Sequence, residues 1–160
     1  MLSQSAEYAI LVALELARAR DEGLIGARVL ARRLKLPPSY CAKILQTLAR
    51  EGVLVSSRGK HGGFRLAQPP EAVALSEIVA PFFDLTPGKR CLIGPRACGD
   101  MAPCAVHARW KAVGAKVAAF FRSTTLGDLG LGGPAAISGL MELRLAAGPG
   151  RHRAQGKSTI

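Results

Sequence analysis

The chain has 160 residues, with 22 Lys and Arg against 11 Asp and Glu, a formal charge of +11. That length suits one ordinary domain with a real core, and the basic excess points to a polyanion partner, nucleic acid ahead of an anionic membrane surface. No run of eighteen apolar residues could span a bilayer, and no export signal opens the chain, so a cytoplasmic protein with no membrane partner is expected.

The charge is localised. Residues 18–65 hold eleven Lys and Arg and only three acids, Asp21, Glu22 and Glu51. A nearly all-apolar run from Tyr8 to Ala17 predicts a buried helix over 5–19, with Ser5 as its cap and Glu7 in its first turn. A polar connector follows. A short second helix is expected over 27–35, with Val29, Leu30 and Leu34 facing inward. Leu36-Pro37-Pro38 breaks the chain, and Pro suits the first turn of the next helix.

That third helix spans about Pro38 to Arg50. Cys41, Ile44, Leu45 and Leu48 form its apolar stripe, while Ser39, Tyr40, Lys43, Gln46, Thr47 and Arg50 occupy the other side. Gly52 stops it. Val53–Ser57 and Phe64–Leu66 read as strands around a turn, Arg58 to Gly63, that carries three glycines and three potential cations. A short helix is expected over 75–83, ended or kinked by Pro81. Residues 84–103 are rich in Gly and Pro. A long helix from about Pro103 to Arg122 sets Val106, Trp110, Val113, Val117 and Phe120/Phe121 along a seam wide enough for another helix.

Two short helices joined by a tight turn, then a basic hairpin, outline a winged helix-turn-helix. The fold class is therefore mainly α with a small β-hairpin wing, plus a long C-terminal dimerisation helix. The plan is a DNA-binding domain over 1–83, a cysteine-rich loop over 84–103, a dimerisation helix and its return over 104–129, and a disordered tail over 130–160. The second helix of such a pair enters the major groove by its N-terminal residues, which nominates Ser39, Tyr40, Lys43 and Gln46. The wing tip, Arg58, Lys60 and His61, could reach an adjacent minor groove.

The loop sets Cys91, Cys98 and Cys104 at gaps of six and five residues, with His107 three residues on. In a reducing compartment such clustering suggests metal or redox chemistry. Structural zinc uses closer pairs, whereas these gaps let a loop wrap something larger, such as an iron–sulfur cluster. Cys104 is expected near a helix N-terminus, where the dipole favours thiolate, and His107 on the same side of that helix. His107 is the candidate fourth ligand and Glu7 the alternative. Cys41, on an apolar stripe, reads as a buried structural thiol. No catalytic constellation is present: no Ser-His-Asp signature, phosphate loop or H-E-x-x-H motif.

Several of these residues together resemble the Rrf-type (IscR/NsrR-like) winged-helix regulators of bacteria, over about residues 1–129. They are Ser39-Tyr40 opening the third helix; Leu45 and Leu48 followed by Gly52-Val53-Leu54-Val55; Arg58-Gly59 then Gly62-Gly63-Phe64 and Leu66; and the three-cysteine loop before a long helix. The resemblance implies a homodimer with crossing C-terminal helices on a palindromic operator in double-stranded DNA. It implies a 2Fe–2S cluster, ahead of a 4Fe–4S one, tuning DNA binding, with repression the usual outcome and cluster supply, nitric oxide or redox stress the signal. Cys91, Cys98 and Cys104 correspond to the family's cluster cysteines. His107 corresponds to the histidine of the cluster-supply branch, and Glu7 to an N-terminal acid of the nitric-oxide branch. Two other readings stand beside it: a regulator using the cysteines as a thiol sensor or zinc site, and a small iron–sulfur electron carrier.

Overall fold

A computed structural model describes residues 2–86, 91 and 103–130. Its elements are α1 (Gln4–Arg18), α2 (Ala27–Arg33), α3 (Pro38–Arg50), β1 (Leu54–Ser57), β2 (Gly63–Leu66), α4 (Leu75–Val79) and α5 (His107–Ser123), with 3-10 turns at Arg20–Glu22, Pro70–Ala72 and Gly127–Leu129. This is the mainly helical, two-stranded architecture expected from the sequence. The expected tail over 130–160 falls, apart from Gly130, outside the described residues.

α1 is the hub. Small side chains, Ala6, Ala9, Ala13 and Ala17, are fully buried along it. They allow close approach of α3, α4 and β2, all of which pack on it. Leu30, Leu45, Leu48, Ile78, Val12 and Leu126 fill the space between as the largest sealed side chains.

The cap of α1 differs from expectation. Ser3, not Ser5, accepts the hydrogen bond from the Ala6 amide, at 3.2 Å. The helix starts one residue earlier than the apolar pattern suggests, and a cap bonds three residues ahead. Ser3 Oγ also donates to the Phe82 carbonyl at 2.9 Å, tying this end of α1 to the segment after α4.

α2 and α3 pack closely through a turn in which Lys35 adopts φ 50. The wing gains a third backbone partner. Ile25 and Phe64 exchange two hydrogen bonds, at 3.0 and 2.9 Å. Gly63 makes that approach possible, because a Cβ there would lie 2.6 Å from the Ile25 carbonyl carbon.

α4 ends at Val79, as Pro81 predicts, and the Phe82 and Phe83 amides both turn back to the Val79 carbonyl. α5 begins at His107 rather than Pro103. Residues 103–106 offer no side-chain oxygen for a cap, and the His107 amide closes a turn on the Cys104 carbonyl at 3.0 Å. The far end of α5 is anchored: the Leu75 amide donates to Thr124 and the Leu126 amide to Val73, at 2.9 and 2.8 Å. The Asp128 carboxylate accepts from the Thr125 amide and hydroxyl, which hold it below the usual carboxylate range.

Candidate DNA-reading face and cysteine loop

The apolar stripe of α3 is sealed. Cys41, Ile44, Leu45 and Leu48 are all buried. The 3.6-residue period then sends Ser39, Lys43 and Gln46 outward, and all three are exposed. Lys43 carries a charge for phosphate or guanine, and a Gln amide can pair bidentately with adenine.

Tyr40 is placed differently from its three neighbours. Its ring is half-buried and meets Tyr8 edge-to-face, with centroids 5.7 Å apart. Its hydroxyl lies 2.7 Å from Ser5 Oγ. Tyr40 thus fastens the first turn of α3 to the first turn of α1. The partner Ser5 was not identifiable from spacing, since 35 residues separate the two.

The wing tip projects Arg58, Lys60 and His61, all exposed. Gly59 takes φ 104 and its carbonyl accepts from the Gly62 amide, which closes the tip. Among the described residues, neither Lys43 nor the tip residues form an ion pair. Two adjacent elements therefore present uncompensated positive charge, as binding along a phosphate backbone requires.

In the segment before α5, Cys91 is half-buried and Cys104 exposed, and His107 at the start of that helix is 7% exposed. Cys104 and His107 do not share a helix face as expected, because Cys104 precedes the helix in the turn. Cys98 lies outside the described residues. Among the described residues, no three of His, Cys, Asp and Glu gather as a metal site. Glu7 is half-buried in the first turn of α1, the same turn that Ser3 ties to Phe82. Cys41 is 0% exposed, and burial pushes its thiol up to about 11.

The seam of α5 divides. Phe121 turns into the body, at 8% exposure, while Phe120 and Val113 stand 54% and 47% exposed. Trp110 and Val117 are half-buried beside them. Among the described residues no helix is long and apolar enough to cross a membrane.

Comparison with known proteins gives consistent results. Residues 2–130 match the Rrf2 family model, described as an iron-dependent transcriptional regulator. A protein of Aquifex aeolicus named as an HTH-type transcriptional regulator is 33% identical over 131 residues, covering 81% of this chain and 90% of its own. CymR of B. subtilis, described as its global cysteine regulator, superposes with a TM-score of 0.68 at 24% identity, over 81% of this chain and 95% of its own. IscR of T. potens does so with a TM-score of 0.65 at 21% identity, over 81% and 85%. These two likenesses show the winged-helix fold.

Proposed function

The chain belongs to the Rrf2 family of transcriptional regulators, a non-enzymatic, DNA-binding role, and from that premise we propose that it is a homodimeric repressor governed by its cysteine loop. α5 supplies the dimer contact through Phe120, Val113, Trp110 and Val117. Two copies then present two α3 helices and two wings to a palindromic operator. Both half-sites must be met at once, so a small change in spacing changes affinity steeply. Ser39, Lys43 and Gln46 read the groove, Tyr40 sets the pitch of the helix that carries them, and Arg58, Lys60 and His61 hold the flanking backbone. The domain boundaries at 83, 103 and 129 follow from this division of labour, and the cytoplasm is where such a regulator acts.

The observation that carries the regulatory half is the contrast among thiols. Cys91 and Cys104 stand outside the core on the segment that feeds α5, whereas Cys41 is sealed. Their donor chemistry fits an iron–sulfur cluster, with Cys91, Cys98 and Cys104 as ligands and His107 or Glu7 completing the set. A 2Fe–2S cluster is preferred to a 4Fe–4S one because a mixed thiolate and imidazole or carboxylate set suits it. Such a cluster supplies bonds that oxidants and nitric oxide break. The chain's own part is the connection of the loop at both ends, to Phe82 near the α1 cap and to the start of α5.

Anaerobic purification with iron and sulfide analysis and visible spectroscopy tests this, with Cys104→Ala as the comparison. A visible band with iron and sulfide in near-equal amounts, lost in Cys104→Ala, is the expected result. Equal operator affinity with and without the cluster at fixed salt would remove the switch.

A second reading rests on the exposure of Cys104: a thiol sensor without a cluster. Iron-free protein whose DNA affinity changed on thiol oxidation would favour this reading over the first.

A further inference from the structure

A groove of about 350 Å³ opens where the end of α3 meets α4. Val53, Ala80 and Pro81 line it together with two carboxylates, Glu51 and Glu77. Both acids are exposed. Glu77 forms no ion pair among the described residues, and Glu51 meets only its neighbour Arg50, at 3.7 Å. Glu51 is also the C-cap of α3, where the helix dipole disfavours a carboxylate. The groove therefore holds negative charge against a local cost, and its chemistry suits an occupant that is both apolar and cationic.

The surrounding sequence is acidic in an otherwise basic chain. Between Arg65 and Lys89 there is no Lys or Arg, and there are three acids, Glu71, Glu77 and Asp84. The complementary stretch lies near the other end of the chain. From Leu143 to Ile160 there are four cations, Arg144, Arg151, Arg153 and Lys157, and no acid. Leu143 and Leu145 flank the first of them. This stretch is outside the described residues and beyond residues 2–130, which the family model matches.

The described chain ends beside the groove's own helix. The Leu126 amide donates to the Val73 carbonyl at 2.8 Å. Gly127 stands so close to Glu71 that a Cβ would lie 3.1 Å from its Cα. Val73 is four residues before Glu77 and Leu126 four before Gly130, so Gly130 lies within about 35 Å of Glu77. Fourteen residues lead from Gly130 to Arg144 and can extend to about 46–50 Å, so the groove is within reach. Tethering over such a span corresponds to a roughly millimolar effective concentration.

We propose that residues 143–153 of this chain dock in the groove between α3 and α4. Leu143 and Leu145 meet Val53, Ala80 and Pro81, and the arginines pair with Glu51 and Glu77. Exposed ion pairs are individually weak and screened by salt, so the docking is reversible and salt-sensitive. Glu51 marks the far end of α3, about 20 Å along the helix from Pro38. The docked segment thus keeps its positive charge away from the reading end of α3. Neither the cluster nor the dimer is needed for this contact.

Zero-length coupling of amines to carboxylates tests it on the full chain. Arg144→Lys and Arg153→Lys place amines in the segment, and a carbodiimide joins an amine only to a carboxylate that it touches. Mixing isotope-labelled with unlabelled protein separates links within a chain from links between chains. At about 0.01 M salt the screening length is about 30 Å. Positions 144 and 153 should then couple to Glu51 or Glu77 within one chain. The yield should be several-fold above that to Asp21, whose side chain is 96% exposed and reports chance encounters. At about 1 M salt, with a screening length of about 3 Å, the excess should vanish.

Nuclear magnetic resonance gives a readout without coupling. At low salt the Val53 and Ala80 amides should differ in shift between wild type and a variant with Arg144→Gln, Arg151→Gln and Arg153→Gln, and should coincide at high salt. Glu51→Gln with Glu77→Gln, changes at two exposed sites, should erase that difference without lowering the thermal midpoint. Coupling no greater than to Asp21, or links only between chains, overturns the proposal. No shift difference, together with duplex binding about tenfold weaker in the arginine variant, would put the segment on DNA instead and overturn it as well.

Discussion

The Tyr40 hydroxyl and Ser5 Oγ lie 2.7 Å apart, joining the first turn of the reading helix to the first turn of α1. The contact is part-buried, and the Tyr40 ring also meets the Tyr8 ring edge-to-face. One hydrogen bond of this kind contributes about 1 kcal/mol net. Tyr40→Phe keeps the ring contact and removes only the bond, as does Ser5→Ala from the other side. Each should lower stability by about 1 kcal/mol in denaturant titration. The double variant should cost little more than either single one, because both delete the same bond. Additive losses would show that the two hydroxyls act independently.

Gly63 stands against Ile25 so closely that any Cβ would meet its backbone at 2.6 Å. Gly63→Ala must push the strand away and break the Ile25–Phe64 pair. Overpacking of this kind costs about 1–3 kcal/mol. Hydrogen exchange at the Ile25 and Phe64 amides is the direct readout: both should lose protection, while the amides of α3 keep theirs. Unchanged protection at both would mean that the wing does not depend on this approach.

The order of elements was legible because it rests on local signals. The stripe of Cys41, Ile44, Leu45 and Leu48, the Pro37-Pro38 break and the glycines of the wing each announce themselves within a few residues. Pro81 marked the end of α4 for the same reason. What was missed depends on distant partners or competing caps. Ser5 reads as a cap because it precedes an apolar run, but Ser3 takes that role and Ser5 is released to meet Tyr40. Tyr40 reads as solvent-facing from its helix position, and only the arrival of α1 reveals the half-buried ring. Pro103 suggests a helix start, yet without a capping side chain the first regular turn waits until His107. Cys91 and Cys104 lie outside the core, and Cys98 lies outside the described residues.

Phe120 and Phe121 are sequence neighbours with opposite surroundings, 54% and 8% exposed. Phe120→Glu gives up the edge-to-face contact with Phe121, centroids 5.6 Å apart, and puts a charge into the proposed dimer seam. Sedimentation equilibrium should show a shift from dimer to monomer, while the monomer still unfolds cooperatively at a cost of about 0.5–1.5 kcal/mol for the lost ring contact. Operator affinity should drop with it, since one half-site is then met at a time. Phe121→Ala should instead destabilise the fold itself, by about 3–5 kcal/mol. A Phe120→Glu protein that remained dimeric would move the interface elsewhere.

Cys41 and Cys104 should separate cleanly by reactivity in cluster-free protein. The Cys41 thiol is sealed, and burial pushes it up to about 11, so thiolate is scarce at neutral pH. Cys104 is exposed in the turn before α5. Alkylation at pH 7.5, followed by peptide mapping, should label Cys104 quickly and Cys41 only on unfolding. The same shift carries a stability signature. A thiol whose folded value is raised favours the fold fully while both states are protonated. That advantage is lost as the unfolded chain ionises, near the ordinary thiol value, and the fold weakens as pH climbs from about 9 toward about 11. Cys41→Val removes the ionising group from the same buried position. The difference in stability between wild type and Cys41→Val should therefore change across that alkaline window and stay constant from pH 6 to 8. Rapid labelling of Cys41 in folded protein, or a difference that does not change with pH, would mean that the thiol is reachable and belongs with the reactive cysteines of the loop.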